Sequence, residues 1–202
     1  MTAEAPHDTR TQFIEAARQL FAERGFYGTS IAAIADELGM TKQALIHHFG
    51  SKEKLYGEVL ARLSNRFTRV LEDIEAGGGP AEDRLRRFCT TFCEIALTHP
   101  DDTRLIMREL LDNRQRAEQA DAWYLKPFLE NLTNTVLETE RWQDATPPEA
   151  LALVYNVLGA VSYFAISEPT LSRMFGPTEY EATRRAYPDK VALLAEGFFG
   201  TA

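Results

Sequence analysis

The chain has 202 residues, 45% hydrophobic and 26% charged, a profile that excludes a disordered polymer and is long enough to bury a core without disulfide or metal staples. Its formal charge is −8, from 22 basic and 30 acidic residues, which excludes a general affinity for polyanions; nucleic-acid binding has to rest on a local basic patch. Cys89 and Cys93 are the only cysteines and stand four positions apart on one face of a predicted helix, too local for a disulfide framework and consistent with a reducing cytoplasm.

Residues 1–8 read as a tail. The N-terminal stretch MTAEAPHDTRTQ has no apolar signal core, and no apolar run reaches about 18 residues without polar interruption, so a soluble protein with no membrane partner is expected. Thr9 and Thr11 are the candidate caps of a first helix whose Phe13, Ala17, Leu20 and Phe21 recur at helical spacing. Gly25-Phe26-Tyr27-Gly28 ends it. Thr29-Ser30 then caps a second helix with Ile31, Ile34, Ala35 and Leu38 inward, and Gly39 supplies a left-handed stop. Thr41 caps a third helix anchored by the Leu45 and Phe49 pair, Gly50 stops it, and Ser51 caps a fourth helix running to about Ala76.

Gly77-Gly78-Gly79-Pro80 is the clearest break in the chain. Further helices are predicted over about 81–98, 101–113, 121–142, 148–167 and 179–199, punctuated by His99-Pro100, Pro147-Pro148, Glu168-Pro169 and Gly176-Pro177. No stretch keeps a period of two. The expected fold is all-α with about nine helices, divided into residues 1–50 (the start of the fourth helix reaching to about 56) and residues 51–202.

The segment from Ser30 to Phe49 has the form of a helix-turn-helix: helix, glycine turn, then a short capped helix. With Leu45 and Phe49 facing in, Thr41, Lys42, Gln43, His47 and His48 project from the other side. Gln43 can pair bidentately with adenine, and Lys42 can donate to guanine or phosphate. Lys52 stands near the N-terminus of the next helix, where amides also favour phosphate. From Met40 to Tyr56 three lysines (Lys42, Lys52, Lys54) face one acid, Glu53, so the charge reverses sign locally. An amphipathic helix pair with a merely solvated polar face is the plainer alternative.

Residues 10–56 resemble the DNA-binding domain of the tetracycline-repressor-like (TetR/AcrR) transcriptional regulators. The matching elements are Ala16-Ala17, Leu20-Phe21, Gly25-Phe26, Thr29-Ser30, Ile34-Ala35, Leu38-Gly39, Leu45, His48-Phe49 and Ser51-Lys52-Glu53-Leu55. The resemblance implies DNA contacts at Thr29, Thr41, Lys42, Gln43, Ala44, His47, His48 and Lys52. It also implies a C-terminal domain that binds an effector and dimerises, a palindromic double-stranded operator, and release by a small apolar or aromatic molecule. Family members usually carry glycine and threonine where this chain has Gln43 and Ala44, and tyrosine where it has Ile46. Ile46 either meets a thymine methyl or turns inward.

The segment Glu149–Ser167 is apolar nearly all round, with Leu151, Val154, Leu158 and Val161 in one stripe; the last helix offers Val191, Leu194 and Phe198. These residues form either the core of a monomer or, as the resemblance favours, a four-helix interface between two copies. Phe88, Cys89, Phe92, Met107, Trp123, Phe128, Tyr155 and Tyr163 are candidates for an apolar pocket that the resemblance alone suggests; residue by residue, ordinary core is the favoured reading. Leu110, Leu111 and Tyr124 are of the same kind. Asn113, Arg108 and Glu109 either orient a ligand or are solvated.

Cys89, Cys93 and His99 lack the spacing of a metal set, and neither metal nor cofactor is expected. No phosphate loop, nucleophile elbow or HExxH motif is present, so an enzyme is not expected. An activator without a small-molecule ligand, or a helical interaction module that never touches DNA, remains the alternative to a ligand-responsive repressor.

Overall fold

The computed structural model describes residues 8–112 and 124–200. Among these residues it contains ten helices and no strand. They are α1 (Thr9–Gly28), α2 (Ile31–Glu37), α3 (Lys42–Phe49), α4 (Lys52–Ala76), α5 (Ala81–Thr98), α6 (Pro100–Asp112), α7 (Lys126–Leu137), α8 (Pro147–Ile166), α9 (Glu168–Phe175) and α10 (Pro177–Phe199). The expected helix over 121–142 is α7 in its described part, and 138–142 is turn instead. The extra helix is α9. Pro169, read as a break, occupies its first turn, where a missing N–H costs nothing and the fixed φ is already helical.

The described residues divide into two compact units, one of residues 8–63 with 104–112, the other of 64–103 with 124–200. The boundary expected at 50/51 therefore lies inside the first unit. The reason is α4, whose opening turns bury Leu55, Tyr56, Val59, Leu60 and Leu63. Tyr56 meets Phe21 edge-on at 4.8 Å and Phe26 at 5.1 Å.

In the first unit, α1 buries Phe13, Ile14, Ala17, Leu20 and Phe21. Neither Thr9 nor Thr11 caps it; Asp8 holds the cap position, with its carbonyl accepting from the Thr11 and Gln12 amides. The helix breaks at Gly25, whose φ of 73° lies where a side chain is disfavoured. Ser30 caps α2 by accepting from the Ala33 amide at 3.0 Å. Gly39 (φ 63°) ends α2 in a Schellman turn: the Gly39 N–H donates to Asp36 O at 3.0 Å and the Met40 N–H to Ala35 O at 2.9 Å.

In the second unit α10 packs along α5, α8 pairs with α7, and α5 touches both. An aromatic cluster fills the space: Phe67 lies 5.6 Å from both Phe92 and Phe128, and Phe88 stacks on Phe92 at 5.6 Å. Phe164 stacks on Tyr187 at 3.8 Å, and the Tyr187 hydroxyl donates to Ala160 O. Helix α8 is long and apolar enough to cross a membrane by composition, with a mean hydropathy of 1.5. Its buried Ala150, Val154, Val157, Val161 and Ala165 pack as a core helix does. It starts on a capping box, Thr146 with Glu149, and those hydrogen bonds hold the Glu149 carboxyl below its ordinary range.

Candidate nucleic-acid interface

Helix α3 has two chemically distinct sides. Leu45 is fully buried and Phe49 nearly so, which fixes the helix on the first unit; Phe49 packs edge-on against Phe13 at 6.2 Å. Lys42, Gln43, Ile46 and His47 face solvent, at the i, i+1, i+4 and i+5 positions of a single helical face. The Thr41 hydroxyl accepts from the Ala44 amide at 3.2 Å, and the Gly50 N–H closes the far end on Ile46 O at 2.7 Å. Ala44 is half-buried. His48 is exposed, yet its ring rests 5.8 Å from that of Phe13. The result is a rigid eight-residue probe with one outward stripe: a cation, an amide, an aliphatic side chain and an imidazole. Ile46 turns outward, which decides between the two orientations expected for it.

Two of the expected contact residues are engaged elsewhere. Thr29 is 2% exposed, and its hydroxyl is shared between Leu20 O at 3.1 Å and Gly25 O at 2.9 Å. It fastens the broken end of α1 and does not present a hydroxyl to DNA. The Lys52 ammonium donates to Phe26 O at 3.0 Å and Thr29 O at 3.1 Å, and lies 4.2 Å over the Phe26 ring. A carbonyl-rich helix exit attracts a cation more closely than a distant phosphate does, so Lys52 is a cap of the fold. Lys54, one turn into α4, is exposed.

Arg108 and Glu109, expected to orient a ligand or to be solvated, belong to the first unit and brace α1 and α4. Arg108 Nε donates to Ala22 O at 2.9 Å and its Nη2 to Glu23 O at 2.7 Å; the Tyr56 hydroxyl donates to Glu109 at 2.7 Å. Local periodicity carries no trace of these pairings, which join residues 53 to 86 positions apart.

The pocket and partner candidates sort by exposure. Phe88, Cys89, Phe92 and Phe128 are buried in the second unit, and Met107 is half-buried in the first. Tyr155 and Tyr163 are 47% and 71% exposed, so they line no interior and are corrected to surface residues. Trp123 and Asn113 lie outside the described residues. Val154, Val161 and Val191 are buried within the chain itself, and so leave the list of partner-facing residues; Leu151, Leu158, Leu194 and Phe198 are half-buried. The outward stripe of α8 is instead Ala152, Tyr155, Asn156, Gly159 and Tyr163, and α10 exposes Leu193 and Gly197. Cys89 and Cys93 are buried free thiols, pushed up by burial to about 12 and about 11. Among the described residues no group of three potential metal ligands occurs.

Residues 13–59 match the family model of bacterial regulatory proteins, tetR family. Two curated repressors match part of the chain. The HTH-type transcriptional repressor AcnR of Corynebacterium efficiens is 34% identical over 77 residues, 38% of this chain and 39% of that protein. The HTH-type transcriptional repressor KstR2 of Rhodococcus jostii is 35% identical over 85 residues, 42% of each. The match thus spans about two fifths of these relatives' length. The fold extends further: the transcriptional regulator FadR of Bacillus subtilis, solved in complex with stearoyl-CoA, superposes with a TM-score of 0.67 at 17% identity, covering 95% of this chain and 99% of that one. Residues 13–59 are thus similar to the tetR family of bacterial regulatory proteins, and the chain as a whole shares the fold of FadR.

Proposed function

We propose that the protein is a transcriptional repressor that reads a palindromic duplex operator as a homodimer and releases it when a small apolar molecule binds the second unit. The observation that carries this reading is the division of α3 between anchors and probes: Leu45 and Phe49 inside, Lys42, Gln43, Ile46 and His47 outside. A capped two-turn helix of this kind fits the major groove, with Gln43 suited to adenine and Lys42 to guanine or phosphate. Thr41, His47, His48 and the exposed Lys54 supply backbone contacts.

Dimerisation is supported by the outward stripe of α8 with the neighbouring Leu193 and Gly197 of α10. Large aromatic rings alternate there with small residues on helices that pack together, which suits close approach by a second pair of the same helices. An apolar effector is supported by the phenylalanine cluster around Phe88 and by the stearoyl-CoA bound to the FadR relative. Binding shifts the protein only by the effector's preference for one of its two geometries.

The test is selection of genomic fragments by the purified protein at low salt. Enrichment of an inverted repeat with half-sites about 10 base pairs apart, or a multiple, is expected. Failure to enrich any duplex sinks the proposal.

A further inference from the structure

Ile46 occupies the middle of the outward face of α3, one turn after Gln43 and beside His47, and is 40% exposed. It does not hold the helix down; Leu45 and Phe49, at 0% and 6% exposure, do that. A branched aliphatic side chain has no hydrogen bond to offer, so on a groove-reading face it discriminates only by apolar contact. The one apolar group on a base edge in the major groove is the thymine C5-methyl. Isoleucine is stiff at χ1, so seating it against a methyl orders little that was free. Along α3 it follows Gln43 by about 4.5 Å, three steps of helical rise, against about 3.4 Å between successive nucleotides of one strand. The two side chains therefore address base pairs one or two steps apart.

We infer that Ile46 is a specificity-determining residue that contacts the C5-methyl of a thymine one or two base steps from the adenine read by Gln43. Each half-site then carries a required thymine whose hydrogen-bonding groups go unread. The inference rests on the DNA-reading function proposed above.

The test uses the full-length protein and the duplex it enriches from genomic DNA. Each thymine is replaced in turn by deoxyuracil, which removes the methyl and leaves every hydrogen-bonding group in place. Replacement at one position should weaken binding about fourfold in each half-site, the size of a single buried methyl or methylene contact. Ile46→Ala should bind the thymine and uracil duplexes equally. Ile46→Val should keep most of the discrimination. If the wild-type protein binds the selected duplex and no thymine replacement alters its affinity, the role of Ile46 is wrong; it is equally wrong if Ile46→Ala keeps the sensitivity. If no duplex is enriched at all, the DNA-reading function and this inference fall together.

Discussion

Helices α3 and α8 each leave one stripe uncovered, and the two stripes could hardly differ more. That of α3 carries an ammonium, an amide and an imidazole around one aliphatic side chain. That of α8 carries Tyr155 and Tyr163 with Ala152 and Gly159 between them. The first is suited to a hydrated, charged surface whose polar groups have fixed positions. The second is suited to another protein, because exposed aromatic rings gain most when buried whole. The difference teaches that one chain can repel polyanions on average and still present a cationic probe, provided each task has its own helix.

The contrast can be broken most forcefully at the root of α3. Leu45→Ala opens a fully buried site and should cost about 2–5 kcal/mol in urea denaturation, taking DNA binding with it. Tyr163→Glu acts on the other stripe. It places a charge at a position 71% exposed in the chain, so the unfolding midpoint should hold while sedimentation shows the dimer weakened more than tenfold. An unchanged oligomeric state would refute the assignment of that stripe.

Two lysines sharpen the comparison. Lys52→Met removes the cation that caps Phe26 O and Thr29 O and should cost roughly 1–3 kcal/mol of stability. Lys42→Ala, by contrast, should leave stability alone and reduce the salt dependence of DNA binding by about one phosphate contact. If the two substitutions exchange these effects, the division between fold cap and DNA contact is mistaken.

The buried thiols act only in alkali, far from the pH at which the other substitutions are compared. Burial raises Cys89 to about 12 and Cys93 to about 11 from an ordinary 9.0. Above pH 9 the unfolded chain loses these protons while the folded one keeps them, so stability falls as pH rises towards 11. The slope is at most about 1.4 kcal/mol per pH unit for each thiol. The raised Tyr180 and Tyr187 phenols, both pushed up first of all by burial, add to the fall in the same direction. Cys89→Ala should flatten the alkaline limb of a melting-temperature profile, and both thiols should resist labelling until the protein unfolds.

Legibility in the sequence follows the same contrast. On α3 the two faces differ in chemistry, so polarity alone put Leu45 and Phe49 inside and Lys42, Gln43 and His47 outside. Helix α8 is apolar on every side, and such a pattern has no phase. The stripe with Val154 and Val161 therefore reads equally as core or as partner-facing, and the structure makes it core; Tyr155 and Tyr163, read as pocket or core, are exposed. Caps made by adjacent residues, at Ser30, Thr41 and Ser51, were readable. The partners of Thr29, Lys52 and Arg108 were not, because each side chain reaches a carbonyl that only the folded chain brings near. Composition also concealed α9, since a proline before a helix and a proline ending one look alike in a string of letters.

The separation of anchors from probes on α3 has a consequence for retargeting. Lys42, Gln43, Ile46 and His47 can be exchanged as a cassette without disturbing the residues that seat the helix. A library randomised at those four codons should yield mostly folded variants, so that any change in duplex preference can be told apart from loss of the fold.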